Sequence, residues 1–275
     1  EHEPAVAGGA DAAHVELMFA SAFHCDYHVV ETVAHAHAAQ TYLPDVTFVL
    51  DIGGQDMKAI WMDHGVITDI LMNEACSSGC GSFLENFAST LNIPVEGIAE
   101  MAFASESPAA LGSRCTVFMN SSIVTEQRNG KTPADIMAGL CMSIIENVFT
   151  KVIRMSNLDQ LGDAIMVQGG TFANDAVLRA FERYIGRDVH RAPYPGLMGA
   201  IGVALLTKEQ AEERAAAALA DAAHTSDAPA AQASSSRPST FIGLDALDAF
   251  SYEQETNLVC PFCQNHCSRT RVVFS

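Results

Sequence analysis

The chain has 275 residues, 49% of them hydrophobic, and a formal net charge of −18. A chain of this size can bury one sizeable core and still carry additional segments. Because so acidic a chain repels nucleic-acid phosphates and anionic membranes, we expect neither as a partner. Its longest apolar run, 196–206, is about half of the ~20 residues that a bilayer crossing needs. With no signal peptide visible, we expect a cytoplasmic protein.

The first 40 residues show helical apolar spacing, and three strand patterns follow them. A β-branched run at 45–53 ends in glycines, and two further runs, 57–62 and 66–72, are separated by turn residues. Consecutive strands joined by tight turns predict a meander.

The next part of the chain reads as helices that alternate with short strands. Thr132 and Asp135 form a capping box around Pro133, which predicts a helix from there to about Met155. The other predicted elements are helices at 82–91, 95–104, 174–184 and 196–206 and strands at 164–168 and 189–192. Strands first and alternating elements afterwards predict a mixed α/β layer fold.

The composition divides the chain into four parts. Residues 208–240 are rich in Ala, Ser and Pro and predict a linker. A helical segment, 1–40, and the main lobe, 41–207, precede it, and residues 241–275 begin a Cys-rich unit. Because the chain lacks an initiator methionine and stops within a strand pattern, we expect a fragment of a longer protein.

The first candidate site is the turn after the first strand pattern. Asp51 ends the strand, and Gly53 and Gly54 turn the chain toward Lys58. Glycines let backbone N–H groups approach a phosphate, while the aspartate can hold Mg²⁺ and the lysine adds a cation. The alternative is an ordinary hairpin turn with a solvated aspartate, and the spacing alone does not separate the two.

The second candidate site is another glycine turn, formed by Gly169 and Gly170 after a buried strand. Asn174 is placed to cap the helix that follows. This arrangement leaves room for a flat ring against the backbone. One such turn is weak support, but two of them in one chain favour a nucleotide site.

The eight cysteines indicate metal ligation in a reducing compartment more than disulfides. Cys76 precedes a predicted helix, whose N-terminus would stabilise a thiolate, and Cys115 has similar small neighbours. The alternative for each is a buried structural thiol. The C-terminal Cys260, Cys263 and Cys267 suit a second cluster or, with His266, zinc. We expect two cysteines to be packing residues and four histidines to lie on the surface: Cys25, Cys141, His24, His28, His35 and His37.

Four segments in this order resemble the BadF/BadG/BcrA/BcrD-type ATPases, and more closely the activators of 2-hydroxyacyl-CoA dehydratases: 51–58, 73–84, 114–118 and 167–178. The resemblance implies an ATPase lobe of the actin/Hsp70/sugar-kinase (ribonuclease H-like) fold that binds ATP or ADP with Mg²⁺. The residues it implies at the catalytic centre are Asp51, Gln55 and Lys58, and those implied at the nucleotide are Gly53, Gly54, Gly169, Gly170, Thr171 and Asn174. It further implies that Cys76 and Cys115 ligate a [4Fe–4S] cluster.

In that family, ATP hydrolysis drives an electron from the cluster into a dehydratase-like or benzoyl-CoA reductase-like partner. The resemblance therefore implies reduced ferredoxin or flavodoxin as the donor and a second ATPase module, in a homodimer or an intrachain pseudo-dimer. Two features depart from the family. Its first phosphate turn has no counterpart here, so we expect this chain alone to be a poor ATPase, and Cys80 replaces a hydroxyl residue.

Two other functions remain open at this point. A sugar-kinase-like phosphotransferase would share the glycine turns but would leave Cys76 and Cys115 without a role. A non-catalytic, Hsp70-like or zinc-binding regulatory module would use the cysteines but would not need hydrolysis.

Overall fold

The structure is a computed structural model that describes residues 20–73, 79–224, 239–259 and 268–274. The chain divides into two compact units. The larger unit is Glu31–Leu205, and the smaller one combines Glu1–Val30 with Leu206–Ser275. Within the described residues, no helix has the length and apolar character needed to cross a bilayer.

A five-stranded mixed sheet forms the centre of the larger unit. Its strands are β1 (Phe48–Ile52), β2 (Met57–Asp63), β3 (Val66–Met72), β4 (Ile165–Gln168) and β5 (His190–Arg191), in the order β3-β2-β1-β4-β5. β1, β2 and β3 pair antiparallel, which confirms the predicted meander, whereas β4 pairs parallel with both β1 and β5. All five residues of β1 are buried, as its β-branched and aromatic composition predicts.

Helices cover both faces of this sheet. They are α1 (Glu31–Tyr42), α2 (Gly81–Thr90), α3 (Ile98–Phe103), α4 (Thr116–Arg128), α5 (Pro133–Asn147), α6 (Asp175–Ile185) and α7 (Met198–His224). Alternate residues of β1 serve opposite faces: Leu50 joins a core that includes Phe87 of α2 and Ile144 of α5, while Val49 joins a second core with Ala38 of α1. This layered α/β arrangement is the predicted fold class.

The capping box of α5 is present as predicted. The Thr132 hydroxyl accepts a hydrogen bond from Asp135 N at 3.2 Å, and the Asp135 carboxylate accepts one from Thr132 N at 3.1 Å. The helix was expected to continue to about Met155, but the α-helix ends at Asn147 and a π-helix, Val148–Val152, follows. Arg154, with φ of 54°, then stops the helical path.

Besides the C-terminal part of α7, the described residues of the smaller unit include a short helix and a hairpin. The helix is α8 (Leu244–Leu247), and β6 (Tyr252–Val259) pairs antiparallel with β7 (Ser268–Phe274), so the strand expected at the end of the chain is confirmed. Phe250 stacks on Phe274 with ring centroids 5.4 Å apart. Cys25 was expected to be a packing residue, but it is exposed because it follows a turn after the preceding helix.

Candidate functional site

The two predicted glycine turns lie side by side. β1 and β4 are parallel neighbours, with Asp51 paired to Gln168, so their carboxyl ends meet at one edge of the sheet. The Thr171 hydroxyl donates a hydrogen bond to the Gly53 carbonyl at 3.0 Å. The two turns are therefore joined directly to each other.

The first glycine of each pair has a close neighbour, a backbone carbonyl at Gly169 and the Asp56 side chain at Gly53. Gly169 has φ of 89°, and a Cβ there would lie 2.3 Å from the Ile52 carbonyl oxygen. A Cβ on Gly53 would lie 2.5 Å from Asp56 Oδ1. The second glycines differ, because Gly54 and Gly170 have no atom within 4 Å of that position and both are exposed. Each turn thus has one glycine packed against protein and one facing open space.

The start of α2 fixes the first turn. Gly81 N donates to the Gly53 carbonyl at 2.9 Å, and Ser82 N donates to the Gly54 carbonyl at 2.7 Å. A Cβ on Gly81 would lie 2.5 Å from the Thr171 hydroxyl oxygen. Gly81 is therefore needed for the helix, the first turn and the second turn to meet.

Both turns open into a cavity of about 530 Å³. Gly54, Gly170 and Thr171 supply its polar backbone side. Its apolar side is formed by Leu84, Val95, Ile98 and Ala99. Asn174, also at the cavity, caps α6 as predicted, because its side-chain oxygen accepts from Ala176 N at 2.9 Å. A cavity of this size, with one apolar wall and glycine backbone opposite, can hold a nucleoside.

A buried group of charged residues lies beside the first turn. Asp51 and Lys58 are paired across β1 and β2, so both side chains leave the same face of the sheet, toward α1. Their residues are only 3% and 4% exposed. His35 of α1 places Nδ1 3.1 Å from Asp51 Oδ2 and Nε2 3.3 Å from Glu31 Oε1. Lys58 Nζ lies 3.1 Å from the same Glu31 oxygen and also pairs with Asp56.

The prediction that His35 lies on the surface is wrong, because α1 turns this face toward the sheet. Its alanines and two glycines of α7 allow the close approach: a Cβ on Gly202 would lie 1.8 Å from the Ala34 carbonyl, and one on Gly199 would lie 3.0 Å from His35 Nε2. His24 and His28 are exposed as expected, and His37 is partly buried. The four-residue spacing of Glu31 and His35 is the sequence signal that could have revealed their pairing.

These contacts shift three pKa values toward the charged forms. The hydrogen bond with His35, aided by Lys58, outweighs burial and lowers the pKa of Glu31 to about 2. Burial opposes the charged form of His35, but its contacts with Asp51 and Glu31 raise its pKa to about 9. Burial likewise opposes a charged Lys58, yet Asp56 and Glu31 raise its pKa. The group is therefore ionic at neutral pH.

Asp51 fits the predicted role of a Mg²⁺ ligand. Its buried Oδ2 lies 3.1 Å from His35 Nδ1, which in turn lies 2.8 Å from Gln168 Nε2. A carboxylate at the end of a strand can take a hard cation directly or through water. Gln55, on the exposed part of the same turn, faces solvent and could reach a ligand bound there.

The described cysteines occupy different environments. Cys115 is partly exposed at the N-cap position of α4, whose first turn contains no acidic residue. Cys80, at the start of α2, is fully buried in the core, with Asn73 Nδ2 3.9 Å from its sulfur. Cys141 is buried as expected, and burial raises its pKa to about 12. The other predicted ligands lie outside the described residues: Cys76, Cys260, Cys263 and Cys267.

Residues 8–207 match the BadF/BadG/BcrA/BcrD ATPase family. The chain belongs to this family. It is 33% identical over 186 residues to the (R)-2-hydroxyglutaryl-CoA dehydratase activating ATPase of Acidaminococcus fermentans, covering 68% of this chain and 70% of that protein. It is 32% identical to the activator of lactoyl-CoA dehydratase of Anaerotignum propionicum over 69% of this chain and 72% of that protein.

A solved structure supports the same assignment. The activator of the 2-hydroxyisocaproyl-CoA dehydratase from Clostridium difficile, with bound ADPNP, superposes with a TM-score of 0.63 at 29% identity, over 69% of each chain. The fold predicted from the resemblance, an ATPase lobe of the actin/Hsp70 type, is therefore confirmed.

Proposed function

We propose that this chain supplies one wall of an ATP site and two cluster-binding cysteines to an activator that passes low-potential electrons to an acyl-CoA dehydratase or reductase. The observation that carries this proposal is the pair of glycine turns, joined by Thr171 and Gly53, that open into one cavity. The activator relatives support the dehydratase as the partner class.

The nucleotide would bind with its adenosine in the cavity and its phosphates over the first turn. The exposed backbone at Gly54 would contact phosphate oxygens, and Gly170 would leave space for the ring. Asp51 would hold Mg²⁺. His35, whose Nδ1 lies 3.1 Å from Asp51 Oδ2, would orient the carboxylate. Gln55 would orient the attacking water or a phosphate oxygen.

The cysteines would hold a [4Fe–4S] cluster, which supplies one-electron redox chemistry at low potential when bound. Cys115 fits this role, since it is accessible and stands at a helix N-terminus that stabilises a thiolate. Cys76 is its proposed counterpart. Reduced ferredoxin or flavodoxin would be the donor, and a second ATPase module would complete the site. Cys260, Cys263 and Cys267 would form a separate metal site.

The decisive experiment combines nucleotide binding with metal analysis on the anaerobically purified chain. ADP should bind more tightly with Mg²⁺ than without it. Asp51→Asn should weaken ADP binding in the presence of Mg²⁺ by at least about tenfold, because a contact to a charged group contributes about 1.5–3 kcal/mol. Ser82→Ala, next to the turn but donating only through its backbone, is the control.

The same preparation separates the proposal from its alternatives. A brown protein that contains iron and sulfide and absorbs near ~400 nm supports the activator. A colourless protein that binds Mg²⁺·ADP without iron would favour the sugar-kinase-like phosphotransferase. A zinc protein that binds no nucleotide would favour the regulatory module.

A further inference from the structure

Residues 105–114, here called the strap, connect α3 to Cys115 without forming a helix or strand. Backbone hydrogen bonding within a regular element therefore does not set the position of Cys115 from this side. Whatever holds the strap also decides where the sulfur stands relative to the ATPase core.

One face of α5 contacts the strap along its length. Asp135, Gly139, Ser143 and Asn147, here called the α5 stripe, recur at every fourth position and so share one side of the helix. They meet the strap in chain order, so strap and helix run alongside each other in the same direction.

Each member of the α5 stripe makes a specific contact. Asp135 Oδ1 accepts from the Ser105 hydroxyl at 2.7 Å and from Ser107 N at 3.0 Å. Gly139 lets the strap approach, because a Cβ there would lie 2.4 Å from the Ala109 carbonyl oxygen. The Ser143 hydroxyl donates to the Gly112 carbonyl at 2.7 Å, and Asn147 Nδ2 donates to the Arg114 carbonyl at 3.1 Å.

The last two contacts come from buried side chains and hold two carbonyls within the three residues before Cys115. Ser143 and Asn147 are each 1% exposed, so their donor groups are shielded from water, whereas the acceptor residues Gly112 and Arg114 are exposed. The strap also forms one wall of a second cavity of about 570 Å³, in which Ala110 and Gly112 face Met142 and Ala180. Because this cavity leaves the packing behind the strap incomplete, the hydrogen bonds from α5 contribute more than apolar contacts to the position of the strap.

The end of the α5 stripe also meets the other cysteine segment. Val148 follows Asn147 at the start of the π-helix, and its Cγ2 would lie 3.1 Å from a Cβ on Gly79. Gly79 stands between Cys76 and Cys80 in the sequence. One turn of one helix therefore touches the backbone next to Cys115 and the backbone of the first cysteine segment.

We propose that Ser143 and Asn147 are positioning residues for the Cys115 thiolate. By holding the carbonyls of Gly112 and Arg114, they fix the sulfur relative to α5, and through α5 relative to Gly79. A metal site requires its ligands within about 0.5 Å of their bonding positions, which a free connecting segment does not provide. The inference rests on the proposed role of Cys115 as a cluster ligand.

The first test measures the accessibility of each cysteine in the metal-free chain. Wild type, Ser143→Ala and Asn147→Ala are treated with N-ethylmaleimide, and labelling is followed peptide by peptide by mass spectrometry. We expect Cys115 to react about fivefold to tenfold faster in both variants, the change produced by losing one hydrogen bond of about 1 kcal/mol from a buried donor. Ser143→Thr, which keeps the hydroxyl, should stay within about twofold of wild type.

Thr47→Val is the matched control. The Thr47 hydroxyl also bonds backbone carbonyls, those of Leu161 at 2.8 Å and Ala164 at 3.0 Å, but in a part of the unit that does not touch the strap. Its loss should leave the labelling of Cys115 unchanged. Equal acceleration in Thr47→Val, or no acceleration in either strap variant, would overturn the proposal.

Buried Cys80, which does not line the cavity behind the strap, reports whether a variant has unfolded, because it should stay unlabelled in a folded chain. If both strap variants unfold, hydrogen exchange of the wild-type chain decides. Strap amides protected as strongly as those of α5 would support the proposal, and exchange at the rate of an open loop would overturn it.

The second test reconstitutes the cluster under anaerobic conditions. Ser143→Ala and Asn147→Ala should each retain less than about half of the wild-type iron and show a changed absorption near ~400 nm, whereas Thr47→Val should retain both. Wild-type iron content and spectrum in both strap variants would overturn the positioning role. If the wild type itself binds no iron, the proposed function fails, and the labelling experiment still decides whether α5 holds the strap.

Discussion

Asp51 is the one charged residue of β1, and because it is buried its carboxylate needs a nearby positive or hydrogen-bonding group. Lys58 lies opposite in the sheet, but its ammonium is held by Glu31 and Asp56. The cation that faces the Asp51 carboxylate is His35, at 3.1 Å. This contact limits how the buried carboxylate can rotate. His35 is thus the support of the residue on which the proposed Mg²⁺ site depends.

Removing His35 should therefore be costly. In His35→Leu, Asp51 stays buried without a positive partner, and breaking a buried pair in this way costs about 3 kcal/mol. Urea unfolding of the two proteins measures the difference. His64→Asn is the control, since asparagine tolerates the left-handed backbone of His64 (φ of 48°) and since His64 and Asp63 form a pair on the surface, where such pairs contribute no more than about 1 kcal/mol. Equal losses in both variants would contradict the buried-pair argument.

At the scale of elements, the two glycines of the second turn have different roles: Gly169 is needed for the fold, and Gly170 is proposed to face the ligand. Gly169, with φ of 89° and ψ of 152°, occupies a backbone region that is essentially restricted to glycine. Gly170 stands next to it and faces open space. Substitution of Gly169 therefore tests the fold, whereas substitution of Gly170 tests the proposed binding of the ligand.

Gly169→Ala should lower the free energy of unfolding by at least about 2 kcal/mol, from backbone strain and from the approach to the Ile52 carbonyl. Gly170→Ala should change it by less than about 0.5 kcal/mol. Thermal or urea unfolding measures both. If nucleotide binds as proposed, Gly170→Ala should weaken ADP binding while the protein remains stable. A stable Gly169→Ala would mean that the turn can relax.

The N-terminus of α5 gives a prediction about pH. Asp135 accepts hydrogen bonds from Ser105, Ser107 and Thr132, and these lower its pKa well below the usual range. A carboxyl whose pKa is lower in the folded state contributes stability that is fully present above its unfolded pKa of about 4 and is lost as the pH falls below it.

Asp135→Asn keeps the shape of the side chain but removes the charge. The variant should be less stable than wild type at pH 7 and at pH 5, and the difference should shrink between about pH 4 and pH 2. Urea unfolding at a series of pH values measures it. A difference that stays constant or grows on acidification would show that the charge of Asp135 does not stabilise this cap.

The sequence predicted those elements whose signals are local. The meander has alternating strand patterns and turns, and the capping box around Pro133 is contained in four residues. The helix α4 was missed, because exposed apolar residues such as Val117 and Phe118 blur its periodicity. The π-helix after α5 and the buried side of His35 depend on partners distant in sequence, so no local pattern could indicate them.

The candidate site followed the same rule. Two glycine turns were recognisable one at a time, but their connection through Thr171 and Gly81 depends on the parallel pairing of β1 with β4. The α5 stripe was not predicted, because the strap it holds has no sequence pattern of its own. The residues that contact the nucleotide remain predictions.

At the scale of the whole molecule, large apolar side chains are exposed next to Cys115. Val117 and Phe118 follow the cysteine in α4 and are 76% and 65% exposed. Cys80, the nearest alternative ligand in sequence to Cys76, is enclosed in the core and faces no such surface. Within the described part of the ATPase unit, Cys115 is thus the cysteine that a cluster outside the core could reach, beside apolar side chains that a second module would cover.

We therefore expect the cluster to be shared between two copies of the ATPase unit. A [4Fe–4S] cluster takes four thiolates, and a two-fold axis would let each copy give the same pair, Cys76 and Cys115. Each α4 would then direct its N-terminus at the cluster from one side and favour its negative charge.

Anaerobic reconstitution, followed by iron analysis and native mass determination, should find about two irons per chain in a dimer. Cys115→Ser should lose both the iron and the dimer, whereas Cys80→Ser should keep them. Four irons in a monomer, or iron loss confined to Cys80→Ser, would rule out a shared cluster.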